Sequence, residues 1–277
     1  MTSDGAARSS QYATQSVETS PNVEIGNREG NGPAVILCEH AACDIPEMYQ
    51  GLGLDPVHRS SHAAWDPGAR AVAMKLSDAL DAPLIASRVS RLVYDCNRPP
   101  EAASAMPERS EVIDVPGNHD LTPAQRAARI DTIYRPFCQA VSRVLAERAA
   151  RHLPTVLLTI HSFTPYYYGH TRRVEIGILH DADARMADAM LAQSHRLTHR
   201  NIQRNAPYGP EDGVTHSLKL HGMGNGLANV MVEIRNDLLA TPDDEATMAD
   251  EVLQLILPAL ATLGFEMSPQ QGGERDA

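Results

Sequence analysis

Thr155-Val156-Leu157-Leu158-Thr159-Ile160 is the clearest strand in the chain, and His161 follows it directly. A short, almost continuous apolar run of this kind suits a strand buried on both faces of a sheet. Working outward, Ala34–Cys38 (Ala-Val-Ile-Leu-Cys) reads the same way and gives way to Glu39 and His40. Leu84–Ile85, Arg91–Tyr94, Val174–Leu179 and Ala228–Ile234 are the remaining strand expectations. Helical spacing fills the intervals. Pro67–Leu80 sets Val72, Leu76 and Leu80 on one face, and Ala124–Arg151 follows a Thr122-Pro123 start signal. Ala182–Asn201 and Asp243–Leu263 complete the set. Strands alternating with helices predict an α/β sheet covered on both faces. In such sheets function gathers in loops beyond the carboxyl ends of strands.

Composition bounds the answer. The 277 residues are 43% hydrophobic and only 4% aromatic, so a sizeable core must be aliphatic and alanine-rich. A formal charge of −11 argues against nucleic acid or an anionic membrane surface as partner, since both require a basic face. Binding charge for an acidic ligand would have to be local. Cys38, Cys43, Cys96 and Cys138 show neither zinc-ribbon spacing nor a disulfide framework, and Cys38 and Cys96 read as buried thiols. No apolar run approaches the roughly 18 residues of a membrane helix. No basic segment followed by an apolar stretch marks a secretory signal, so a cytoplasmic location is expected. Residues 1–30 read as a disordered leader and residues 268–277 as a disordered tail, leaving one domain over 31–267.

Polar residues with chemical potential fall near the strand ends. Ser90–Pro100 carries Arg91, Asp95, Asn97 and Arg98 just before a Pro-Pro stop. An arginine fork beside an amide suits recognition of an acidic small molecule, although a surface ion-pair cluster would have the same composition. His40 and His161 each follow a buried strand, and Asp66 stands at a helix entrance in Ala-Trp-Asp-Pro-Gly-Ala. Two imidazoles and a carboxylate make a donor set for a catalytic zinc with one position left for water. The alternatives are hydrogen-bonded structural histidines and an ordinary Asp N-cap. Glu233 lies inside a strand, where a carboxylate is either functional, for example as a general base, or paired with a neighbour such as Arg235. Ser162 invites a nucleophile reading, but no Gly-x-Ser-x-Gly elbow surrounds it. Residues 169–177 and 212–222 have the composition of site loops and supply Arg173, Thr215 and His216 as substrate-binding candidates. A second metal site at His216 and His221 is disfavoured, because no carboxylate stands at fixed spacing.

Six segments in register resemble the N-formylglutamate amidohydrolase family: residues 38–46, 65–69, 90–100, 161–165, 212–216 and 233–238. The resemblance runs from about residue 33 to 265. It implies a three-layer α/β/α fold with a mostly parallel or mixed central sheet, phosphorylase/hydrolase-like and related to zinc carboxypeptidases and aspartoacylase. It also implies one Zn2+ per chain and hydrolysis of N-formyl-L-glutamate to glutamate and formate, a step linked to histidine breakdown. Carried over residue by residue, His40 and His161 match zinc ligands and Glu233 the general base. Asn97 and Arg98 match the pair that grips the α-carboxylate, and Arg91 is placed to polarise the scissile carbonyl. One departure stands out. The related carboxypeptidases use His-x-x-Glu, but Cys43 occupies the third place after His40, so Asp66 is the expected third ligand with Asp44 in reserve. Two rival readings are a metal-dependent peptidase or deacylase acting on a larger substrate, and a metal-free module that binds acidic amino acids.

Overall fold

Among the residues described by the computed structural model, 17–19 and 21–265, eight strands form the central sheet. They are β1 (Val17–Thr19), β2 (Val23–Gly26), β3 (Ala34–Cys38), β4 (Leu84–Ser87), β5 (Val156–Phe163), β6 (Ile176–Leu179), β7 (Ile202–Arg204) and β8 (Asn229–Arg235). Their spatial order is β1-β2-β4-β3-β5-β8-β6-β7. The four central strands β4, β3, β5 and β8 run parallel, whereas β2 joins β4, and β6 joins β8, antiparallel. The sheet is therefore mixed.

Side chains alternate across it with the two-residue period of a strand. Ala34, Ile36, Leu158, Ile160, Val230 and Val232 face one layer of core, packed by α1 (Ala69–Leu80), α4 (Arg185–Leu191) and α5 (Pro242–Thr262). Val35, Leu37, Ile85 and Leu157 face the other, where α3 (Arg135–Ala150) brings Phe137, Val141 and Val144. α2 (Pro123–Arg129) leads into α3 through a π turn over Ile130–Tyr134. Thr122 caps α2 reciprocally with Gln125, as the Thr-Pro start signal predicts. Each fully buried Leu, Ile or Val contributes roughly 1.5–3 kcal/mol by leaving water. The predicted three-layer α/β arrangement is the one observed.

Several local expectations differ. Arg91–Tyr94 is a turn, because the Ser90 carbonyl accepts from the Val93 amide at 2.9 Å and the Ser90 hydroxyl accepts from the Leu92 amide at 3.2 Å. A hydroxyl that competes for nearby backbone donors favours a turn over a ladder. Leu92, Val93 and Tyr94 are buried by tertiary packing and not by strand pairing. The helix expected over Ala182–Asn201 ends at Leu191, followed by a short turn at Ser194–Leu197. His199 and Arg200 leave the helical path to pair with Glu251 of α5, both at 2.8 Å. The leader boundary at residue 30 also lies too far along. Val23 and Ile25 are buried in β2 against β4, an alternation too short to stand out among polar neighbours. The earlier part of that leader, residues 1–16 and 20, and the expected tail lie outside the described residues. Cys38 and Cys96 are buried thiols, as expected. No helix among the described residues is long and apolar enough to cross a membrane.

Candidate active site

Parallel pairing of β5 and β8 sets Glu233 directly opposite His161 in register, so both side chains rise from the same face. β3 ends at Cys38 beside β5 and delivers Glu39 and His40 to the same end of the sheet. Asp66 arrives from the loop before α1. Its amide donates to the His40 carbonyl at 3.0 Å, and Ser162 Oγ donates to the Pro67 carbonyl at 2.7 Å. That bond occupies the Ser162 hydroxyl in fixing the loop, away from any nucleophilic role. Gly68 completes the entry with φ of +79°, and a Cβ there would fall 2.4 Å from Leu239 Cβ. Only glycine meets both demands.

His40 Nδ1, His161 Nδ1 and Asp66 Oδ2 converge, with separations of 3.2, 3.1 and 2.9 Å among them. The far nitrogens face acidic partners. His40 Nε2 lies 2.8 Å from Asp95 Oδ1, and His161 Nε2 lies 3.2 Å from Glu39 Oε2, an ion-pair contact off the line of a hydrogen bond. These carboxylates favour a proton on each Nε2 and leave the Nδ1 lone pairs turned inward. Three such lone-pair donors facing one another repel unless a proton or a metal cation sits among them. A tetrahedral zinc with bonds of about 2.0–2.1 Å spaces its ligand atoms roughly 3.3 Å apart, close to the observed separations. Charge agrees as well. Buried Glu39, Asp66 and Asp95 are grouped with two buried imidazoles and the half-buried Arg91. With the imidazoles neutral, two negative charges remain, which matches a dication. The donor set fits a divalent metal, with carboxylate-supported histidines as its ligands.

The electrostatics follow from that crowding. Burial disfavours a charged His161, yet Glu39 and Asp66 overcome it and hold its pKa well above the usual imidazole value. Burial and Arg91 oppose charge on His40, while Asp95 and Asp66 raise it. Asp66 is buried too, but the two histidines keep it far below the usual carboxylate range. Glu233 behaves in the opposite way. Burial pushes its pKa up to about 7. Its Oε2 meets no hydrogen-bond partner among the described residues, and no ion pair to Arg235 forms. Arg235 turns instead to Asp237 and Glu175.

A cavity of about 490 Å³ opens over this cluster. His40, Asp66, Arg91, Asn97, Arg98, His161 and Glu233 all line it, so seven of the residues singled out from the sequence meet in one place. Arg91 donates to Asp95 at 2.9 Å and approaches Asp66 at 3.4 Å. Asn97 lines the cavity and also makes a structural contact. Its Nδ2 donates to the Val214 carbonyl at 2.6 Å and its Oδ1 accepts from the Ser217 amide at 3.0 Å, so the buried amide holds the 213–217 loop. Arg98 Nη1 donates to the Gly213 carbonyl at 2.6 Å.

Other expected residues do not join the cavity wall. Arg173 is exposed, and its neighbour Arg172 faces inward in its place. Thr215 donates to Asp181 at 2.6 Å, and His216 meets the Tyr134 hydroxyl at 2.8 Å, both behind the loop. Asp44 lines a separate cavity with Cys43 and Trp65, whereas Asp66 converges with the Nδ1 atoms of both histidines. Sequence reasoning missed Glu39 and Asp95 as histidine partners, although their adjacency to His40 and Asn97 was a usable signal. It also missed Tyr208, which a loop brings in from a distance with no local signal.

The sequence model of the family described as N-formylglutamate amidohydrolase matches residues 32–240. A crystal structure of a gene product from Agrobacterium tumefaciens is similar at TM-score 0.86 and 52% identity, covering 88% of this chain and 96% of that one. An N-formylglutamate amidohydrolase from Ralstonia eutropha JMP134 shares the fold at TM-score 0.59 and 17% identity, covering 88% of this chain and 97% of that one. No curated protein matches the sequence.

Proposed function

Because the chain belongs to the N-formylglutamate amidohydrolase family, we propose that it is a zinc-dependent hydrolase of N-formyl-L-glutamate or a closely similar N-acyl amino acid. One observation carries the reading: the buried Glu233 carboxylate stands in register with His161, beside a three-donor cluster suited to a divalent cation. His40, His161 and Asp66 would hold one zinc, which when bound supplies Lewis-acid activation of water and of the amide carbonyl. Glu233 takes a proton from the attacking water as its oxygen bonds to the acyl carbon. It then delivers that proton to the departing nitrogen as the C–N bond breaks, releasing formate and the free amino acid. The Arg91 guanidinium, steered by Asp66 and Asp95, stabilises charge that develops on the carbonyl oxygen. Arg98 takes the α-carboxylate while Asn97 fixes the loop beside it. A cavity of about 490 Å³ suits a small N-acyl amino acid better than a polypeptide.

The test is metal content of the purified protein, paired with formate release from N-formyl-L-glutamate before and after chelation. One zinc per chain with chelator-sensitive release supports the reading. Zinc without formate release moves the substrate to another acyl group. No metal and no activity after zinc is added back would favour a binding module for acidic amino acids.

A further inference from the structure

Arg172 brings to the cavity a charge that the proposed chemistry does not use. It follows the small hairpin of Tyr166–Tyr167 and His170–Thr171. Its backbone is held at both ends, the amide donating to the Pro165 carbonyl at 2.8 Å and the carbonyl accepting from Arg235 at 3.2 Å. The guanidinium carbon lies 4.2 Å from the Tyr167 ring centroid, 4.6 Å from Tyr208 and 5.7 Å from Phe163. Aromatic rings attract a guanidinium through its faces. Its donors, however, all lie in its plane, so contact with the ring faces consumes none of them.

One edge is used, since Nη1 donates to the Tyr208 hydroxyl at 2.7 Å. Among the described residues no carboxylate lies within ion-pair distance of Arg172, although Glu111 lines the same cavity and feels its charge, whereas Arg91 is held by Asp66 and Asp95. A guanidinium held among three rings, lining the cavity with N–H donors beyond the one given to Tyr208, is suited to receive a carboxylate. It is also distinct from the α-carboxylate position. Arg98 is borne by the turn after β4 and Arg172 by the hairpin after β5, and among the described residues neither has a carboxylate within ion-pair distance. Two such cations on separate elements of one cavity complement a ligand with two carboxylates.

We propose that Arg172 binds the side-chain carboxylate of the substrate and thereby sets a preference for acidic N-acyl amino acids over neutral ones. The assignment rests on the amidohydrolase reading above. Tyr208 acts as a positioning residue, accepting from Nη1 so that the opposite edge points at the ligand.

The test compares kcat/KM of the zinc-loaded enzyme on N-formyl-L-glutamate and on its neutral isostere N-formyl-L-glutamine. Wild type should prefer the acid by about 100-fold or more. Arg172→Met should bring that ratio close to one, through loss on the acidic substrate. Arg172→Lys, which keeps charge but loses the fork, should retain a preference of about tenfold. A ratio preserved in Arg172→Met, with both rates lowered in proportion, would assign Arg172 to hairpin packing and overturn the proposal. Equal wild-type rates on the two substrates would overturn it as well. A zinc-loaded wild type inert on both moves the substrate away from N-formyl amino acids before any variant is made, and overturns this proposal with that assignment.

Discussion

Glu233→Gln separates what the site needs from what the fold tolerates. Glu233 is buried, one carboxylate oxygen has no partner, and its pKa is raised from an ordinary 4.5 to about 7. A carboxylate whose pKa is higher in the folded protein than in the unfolded chain binds its proton more tightly when folded. Its ionisation therefore erodes stability as pH rises from the unfolded value to the folded one, and none of that loss is present in acid. At about 1.36 kcal/mol per pKa unit, a rise of roughly 2.5 units amounts to about 3 kcal/mol above pH 8. At pH 5 less than about 1 kcal/mol is expected, because little of either state has yet ionised differently. Glutamine removes the ionisation and keeps the size. The metal-free Glu233→Gln protein should then be more stable than wild type by about 3 kcal/mol at pH 8.5, measured by urea unfolding, with the gap nearly closing at pH 5. The same substitution should lower formate release by at least about 100-fold at full zinc content, since it removes the group proposed as general base. A stability gap independent of pH would refute the raised pKa. Turnover within tenfold of wild type would remove Glu233 from its role as base.

Two further outcomes test the rest of the site. Asp66→Asn retains an acceptor for the Ser162 amide but loses the anionic donor; zinc affinity, read by competition with a chromophoric chelator, should weaken by at least about 100-fold. Unchanged affinity would leave the two histidines to another third ligand. Asn97→Ala should strand the Val214 carbonyl and the Ser217 amide, a loss of about 1–3 kcal/mol in local stability. Amide exchange over residues 213–217 should accelerate roughly ten- to hundredfold, and unaltered protection would show that the loop does not depend on Asn97.

Alternating apolar runs and helical spacing are local, so the sequence alone predicted the α/β class. The buried strands at Ala34–Cys38 and Val156–Phe163 and the Thr122 cap were legible for the same reason. His40, Asp66, His161 and Glu233 were also legible, because polar side chains at the ends of apolar runs are out of place unless they do something. What the chain could not show was who meets whom. Register across β5 and β8 decides that Glu233 faces His161, and the burial of that pair decides the proton affinity of Glu233. The choice of Asp66 over Asp44, and of Arg172 over Arg173, turns on which way a loop directs its side chains. Asn97 illustrates the limit: its place in the motif suggested a ligand contact, and nothing local showed that its amide also holds a loop more than a hundred residues away. Residue type and spacing determine which chemistry is available. Only tertiary packing brings distant groups within hydrogen-bond distance and removes the water between them, and these two effects turn separate donors into a site.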